Sequence, residues 1–507
     1  MRDDSFNLVN NAWIPVVDKD GTRRVIAPWQ MADDAILRPD WPRPDLNIAC
    51  LELLIGLVFL ADPPADRRDW HGRPSPDPGR LRARLAPFVP AFDLLGEGPR
   101  FMQDRARIEG DASKPDMLFI DSAGGQTVRN NADLMVWRDR YPALDPALAA
   151  MALYTLQAHA PSGGAGNRTS MRGGGPMVTL VQPEGGLWSL IRANVPYGTS
   201  ATPEALPWMR PTITSEGGKQ VFPAQAHPAE AFFGMPRRLR LIAENGLITG
   251  VVQRPYGTNY AGWDHPLTPY YRLKLTDEWL PKHPRAGLFG YRGWLGVIVA
   301  GEEDSGLQRR AGTLRAWHDR SGGKTARVLV AGWAMDNMKP RDFVQSSPPF
   351  VALQGMALGL LLGMIEAAEQ FGLALRAALR PVLAEGEARE AVREAFHAET
   401  QAAFEAGLGE LEAGAEPQQV ARDWVAAMHR TAMVLFEARA LPGLADRELM
   451  KKPSASGKNV KEARTQRDIV YAHRNLASAF AGYGDYGSKA LGALMLPVPP
   501  KKKKEAA

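Results

Sequence analysis

One change of texture along the chain does most to limit what it can fold into. Up to about residue 347, short runs of β-branched and apolar residues alternate with glycine and proline. Met177-Val178-Thr179-Leu180-Val181 and Arg327-Val328-Leu329-Val330 are examples, and they read as strands. Helical periodicity interrupts them at about 46–61 and 145–159. After Ser346-Ser347-Pro348-Pro349, proline thins out, and Ala, Leu, Glu and Arg recur at helical spacing to about residue 490. Four helices are expected there: about 350–380, 386–413, 417–440 with Pro417 in its first turn, and 459–482 ending at Gly482. Short connections between four amphipathic helices make an up-down bundle. The expected fold is α+β, with a large mixed α/β N-terminal domain over residues 1–347 and a C-terminal four-helix bundle over 348–490. Residues 491–507, with four consecutive lysines, are expected to be a disordered basic tail.

At 507 residues the chain exceeds what one core usually serves, in keeping with this division. A hydrophobic share of 45% against 23% charged is the balance of a folded globular protein and excludes a fibrous or wholly disordered chain. A net charge of +5 over such a length is no blanket of cations, so any contact with nucleic acid has to be local. Cys50 is the single cysteine, which excludes an internal disulfide or a cysteine-based zinc knuckle and fits a reducing cytoplasm. Met1-Arg2-Asp3-Asp4 lacks the apolar run of a secretory signal. The apolar runs 51–61 and 356–365 are shorter than the ~20 residues of a membrane span. The expectation is a cytoplasmic chain that crosses no membrane.

The densest glycine segment is residues 161–176, Pro-Ser-Gly-Gly-Ala-Gly-Asn-Arg-Thr-Ser-Met-Arg-Gly-Gly-Gly-Pro, between an expected helix and an expected strand. Glycines let a backbone approach a partner closely, and Arg168 and Arg172 add cations, which suits phosphates or a groove of nucleic acid. A mobile surface connection is also glycine-rich, and both readings stay open on the residues alone. A nucleotide-binding enzyme is the rival, since Gly322-Gly323-Lys324-Thr325 resembles the end of a P-loop. A P-loop, however, needs glycine where this chain has His318, and it leads into a helix where 326–332 reads as a strand. The glycine segment precedes its strand and so does not match a dinucleotide fingerprint. The 9 histidines show no His-Glu-x-x-His spacing, and no Gly-x-Ser-x-Gly elbow is present, so nothing points to a catalytic centre, a metal or a cofactor.

Several separated segments together resemble the CasA family, the large subunits of type I-E CRISPR Cascade complexes. They are Phe6-Asn7-Leu8-Val9-Asn10-Asn11-Ala12-Trp13-Ile14-Pro15, Pro99-Arg100-Phe101-Met102-Gln103, Asn130-Asn131-Ala132, the glycine segment through Arg172-Gly173-Gly174, His227-Pro228, Phe233-Gly234-Met235-Pro236-Arg237-Arg238, Trp263-Asp264-His265-Pro266-Leu267-Thr268-Pro269-Tyr270, and Gly332-Trp333-Ala334-Met335-Asp336-Asn337-Met338-Lys339. Their order along residues 6–341, ahead of a helical C-terminal region, is far more specific than any one motif.

The resemblance implies a non-catalytic subunit of an RNA-guided complex that reads a short motif on duplex DNA beside the target. It then opens the duplex for guide-RNA pairing and recruits a helicase-nuclease for antiviral defence. Implied partners are the guide RNA, target DNA, the backbone, RNA-end-capping and small subunits, and the helicase-nuclease. The family's glycine loop corresponds to Ser162, Gly163, Gly164, Ala165 and Gly166, with Arg168 and Arg172 beside it. Its wedge corresponds to Asn337, Met338 and Lys339, and its minor-groove finger to Arg254. Asn130 and Asn131 fall where the family contacts RNA. Many relatives carry glutamine where this chain has Met338, and some carry a cysteine cluster upstream of Trp263 that is absent here. Lys451, Lys452, Lys458, Lys461, Arg464 and Arg467 form a basic set that can track the backbone of a displaced strand, or be a solvated helix face. Two alternatives remain: a nucleotide-dependent enzyme using the glycine loop, and an RNA-binding scaffold that reads no DNA.

Overall fold

A computed structural model of the chain describes residues 6–73, 75–131, 133, 136–164, 166–299, 306–322, 324–446 and 466–500. The chain forms two compact units: Met1–Gly287 with Gly296–Phe350, and Leu288–Leu295 with the chain from Val351.

The first unit is built around two nearly all-apolar helices, Pro44–Ala61 and Pro146–His159. Each has proline in its first turn, where the missing N–H costs no helical hydrogen bond, and the Asp145 carboxylate caps the second by accepting from the Leu148 amide. Buried side chains surround them on all sides, so they read as uniformly apolar and not as amphipathic surface helices. Small antiparallel sheets pack around this core. One has the order Lys339–Ser346, Ala326–Asp336, Val178–Pro183, and the glycine segment runs directly into its third strand. In another, Arg238–Glu244 pairs with Leu247–Arg254 so that Arg254 ends its strand opposite Arg238. The helix Gly312–Ser321 ends at Gly322 in a left-handed conformation, and a strand follows from Ala326, the reverse of a P-loop's strand-to-helix order. Gly323 lies outside the described residues.

In the second unit the helices Gly355–Ala378, Glu387–Glu399, Gln401–Glu412, Pro417–Ala440 and Gln466–Phe480 make a helical bundle. The stretch expected as one helix over 386–413 is two, broken at Thr400, whose hydroxyl turns back to the Phe396 carbonyl at 2.7 Å. Where a disordered tail is expected from 491, the helix Gly484–Ala493 continues instead, with Leu491 and Leu494 buried. Residues 491–494 are Leu-Gly-Ala-Leu and close that helix with an apolar face, while the four lysines at 501–504 lie outside the described residues. The segment Leu288–Leu295 inserts Tyr291 and Trp294 into this unit's core, which its place in the sequence does not announce.

The helices Pro44–Ala61 and Gly355–Ala378 exceed the apolar runs they contain and are long and apolar enough to span a bilayer. Most of each, 89% and 61% of its most apolar stretch, is nevertheless buried inside the protein, as core helices are. Cys50 lies in the first of them, fully buried, and burial pushes its thiol up to about 12. Trp13, Trp263 and Trp294 are core residues too.

Candidate nucleic-acid interface

The glycine loop leaves the helix Pro146–His159, turns at its tip through Gly164 and Asn167 (Asn167 N to Gly164 O, 2.7 Å), and returns to the Val178–Pro183 strand. Ser162, Gly163 and Gly164 are exposed, while Ala165 lies outside the described residues. A Cβ on Gly164 would meet nothing within 4 Å, whereas one on Gly163 would collide with the Arg237 guanidinium. Gly164 and Gly166 have φ of +70° and +80°, which favours glycine at both places.

Two other elements flank this loop. On one side, Ala326–Asp336 and Lys339–Ser346 are joined by the two-residue turn Asn337-Met338, with φ of 48° and 62°. Positive φ at both central residues is the tight hairpin geometry that matches strand twist, and methionine is an unfavourable occupant of its second place. Met338 is 46% exposed, and its sulfur would lie 3.1 Å from a Cβ on Gly174. On the other side, the strand Leu247–Arg254 ends in Pro255-Tyr256. Tyr256, at φ 64° and 41% exposed, donates its amide to the Gly166 carbonyl at 2.9 Å and packs its ring beside Gly166. Arg254 is exposed, with its guanidinium beside Gly110. Two strained, exposed, non-glycine residues thus lie against one glycine segment, Met338 at Gly174 and Tyr256 at Gly166, a pattern that marks functional surfaces.

Arg168 is half-buried and donates to the Ser215 hydroxyl at 2.9 Å, so it stands at the margin of this surface. Arg172 is a correction. It is 3% exposed and pairs with buried Glu52 at 2.7 Å, because a guanidinium in an apolar core needs a carboxylate. It therefore cannot be a surface cation for DNA. Arg237 and Arg238, in the segment 233–238, both turn inward. Arg238 pairs with buried Asp104 at 2.6 Å. Arg237 lies under the loop with its guanidinium donating to the Pro161 carbonyl, and burial brings it down to about 10.

Asn130 and Asn131 are exposed on a separate loop after the helix Gly125–Arg129, and the Asn131 side-chain oxygen accepts from Arg138 at 2.9 Å. Trp137 on the same loop is 86% exposed and was not singled out from the sequence. Neither was Tyr256, although Pro255-Tyr256-Gly257 is a turn signal. Lys451, Lys452, Lys458, Lys461 and Arg464 lie outside the described residues, and Arg467 is exposed near the start of Gln466–Phe480.

A glycine loop beside an apolar hairpin tip and an aromatic strand end suits close approach to a polymer backbone. The family model for the CRISPR-associated protein Cse1 matches residues 7–435, through all of these elements. The chain belongs to the Cse1 family. Among solved structures, Thermus thermophilus CasA (Cse1) matches at 18% identity with a TM-score of 0.71, covering 95% of this chain and 100% of that one. Thermobifida fusca Cse1 matches at 18% and 0.71, covering 98% and 99%. A chain of a structure described as a CRISPR RNA-guided surveillance complex matches at 16% and 0.65, covering 93% and 99%. The Cse1 fold, mixed α/β with a C-terminal helical region, is thus that of this chain.

Proposed function

We propose that this Cse1-family chain is the large, non-catalytic subunit of an RNA-guided CRISPR surveillance complex of the Cascade type, and that it reads a short motif on duplex DNA and opens the duplex beside it. The observation that carries the reading is that two exposed residues lie against the glycine segment, Met338 at Gly174 and Tyr256 at Gly166. In this reading the glycines let the duplex approach the backbone, and Arg254 enters the minor groove, whose pattern is degenerate and read partly by shape. Met338 parts the first base step, while Asn337 and Lys339 contact the strands it separates. An apolar wedge does this as well as a polar one, because unstacking needs bulk more than hydrogen bonds. Tyr256 adds a second stacking surface. Asn130, Asn131 and Trp137 contact guide RNA, with Trp137 as a platform for an unpaired base. Arg467, with the lysines before it, follows the displaced strand. The partners are those of such a complex: guide RNA, target DNA, its backbone, RNA-end-capping and small subunits, and the helicase-nuclease it recruits. It works in the cytoplasm and needs no cofactor. Membership of the Cse1 family, in a fold shared with a surveillance-complex chain, supports this reading over a nucleotide-dependent enzyme or an RNA-only scaffold.

The hairpin tip separates shape from chemistry. Met338→Gly relieves the positive φ and should stabilise the hairpin by about 1 kcal/mol. In the same variant, strand opening should slow because the few kcal/mol of unstacking per step loses its compensation. A fluorescent base analogue beside the motif reads the opening, and a target with a pre-opened bubble should restore wild-type rates. Slow opening that persists on the bubble would show that Met338 acts elsewhere.

A further inference from the structure

From Leu46 to Ala61 the helix Pro44–Ala61 carries a single charge, Glu52, and that side chain is fully buried. An ionised carboxylate holds such a place only with partners. Its oxygens take one each: His159 Nε2 stands 2.7 Å from Oε1, and Arg172 Nη1 stands 2.7 Å from Oε2. The Arg172 contact is an ion pair without the alignment of a hydrogen bond. Burial pushes the Glu52 carboxyl up, but the charges of Arg172 and His159 outweigh it and hold it below the usual carboxylate range.

These two partners sit at the two ends of the glycine loop. His159 is the last residue of the helix that enters it, and Arg172 lies where the chain returns. Backbone bonds close the same root, Ser170 N to Ala160 O at 2.9 Å and Gly175 N to His159 O at 3.1 Å. Arg172 also donates to the Ala158 carbonyl at 3.2 Å and to the Thr268 hydroxyl at 3.3 Å. The loop is thus a closed excursion whose two feet stand on one carboxylate. At the tip the holds are single hydrogen bonds, Tyr256 N to Gly166 O at 2.9 Å and Gln253 Nε2 to Asn167 Oδ1 at 2.7 Å, with open space at Gly164.

We propose that Glu52 is the clasp of the glycine loop, a positioning residue that fixes both of its ends so that target DNA meets a loop already ordered. The proposal rests on the reading of the loop as the DNA-facing surface. Ordering the loop beforehand removes a cost that would otherwise be met on binding.

The test uses the assembled complex carrying Glu52→Gln, and the double variant E52Q/R172M. In the latter the new amide still accepts from His159, and methionine fills the space of the guanidinium stem without leaving an unpaired buried charge. Hydrogen exchange of the amides of residues 162–171 should quicken about tenfold in either variant. The affinity ratio between a preferred and a scrambled flanking triplet should fall about fivefold, with guide-RNA loading unchanged. If Glu52→Gln does not fold, the double variant decides. Unchanged loop exchange in a folded double variant overturns the clasp. Faster exchange with an unchanged ratio overturns its part in recognition. A wild-type complex that shows no triplet preference would instead sink the reading of the loop, and the exchange result would still decide the clasp.

Discussion

Gly164→Asn should leave the subunit folded and the complex assembled while lowering motif-dependent duplex binding about tenfold or more, equivalent to about 1.4 kcal/mol. The position is chosen for what surrounds it. A Cβ there meets nothing within 4 Å, and its φ of +70° is one that asparagine adopts more readily than other side chains. The substitution thus adds bulk at the exposed tip of the loop without disturbing the loop itself. Gly163 and Gly166 are poorer probes, since a side chain on the first collides with Arg237 and on the second with the Tyr256 ring. Affinity can be read by gel shift or anisotropy at fixed salt, because phosphate contacts make any value salt-dependent. Unchanged affinity in an assembled G164N complex would remove close approach at the loop tip from the mechanism.

Tyr291→Ala should destabilise the helical unit by about 3–5 kcal/mol, the usual cost of emptying a buried aromatic site. Tyr291 is fully buried and stacks on Phe404 with ring centroids 4.4 Å apart and 14° between planes. Its hydroxyl bonds Thr400 at 2.8 Å and His397 at 3.1 Å, and its amide donates to the Gln401 side chain at 2.8 Å. Arg292 next to it pairs with Glu369 at 2.7 Å and with Glu394. The segment Leu288–Leu295 therefore completes a core that the helices from residue 351 onward do not close alone. Tyr291→Phe keeps the ring and should cost only about 1 kcal/mol, the worth of its hydroxyl bonds. Exchange protection of amides in Gly355–Ala378 and Pro417–Ala440 measures both. Equal, small losses in the two variants would mean that the ring is not part of the bundle's core.

The division into a strand-and-loop part and a helical part was legible because periodicity is a local signal that survives without tertiary context. Leu288–Leu295 was not, because its role depends on what it packs against, and eight residues carry no period of their own. The break at Thr400 has the same origin: helix propensity is high on both sides, and one hydroxyl decides the bend. At the candidate interface, the glycine loop and the turn at Asn337-Met338 could be picked out as sequence. That Gly174 and Gly166 would seat them against Met338 and Tyr256 could not. Arg172 misled, since an arginine among glycines reads as exposed. The clue lay far away, in Glu52 as the lone charge between Leu46 and Ala61 of an apolar helix, which requires a buried cation somewhere in the chain.

The most direct test of the central claim is equilibrium binding of the complex, assembled with and without this subunit, to duplexes that share one target and differ only in the flanking triplet. With the subunit, affinity should depend on the triplet over at least about tenfold, and without it the dependence should vanish while pairing to a single-stranded target persists. A complex that ranks the triplets identically in both forms would contradict the account.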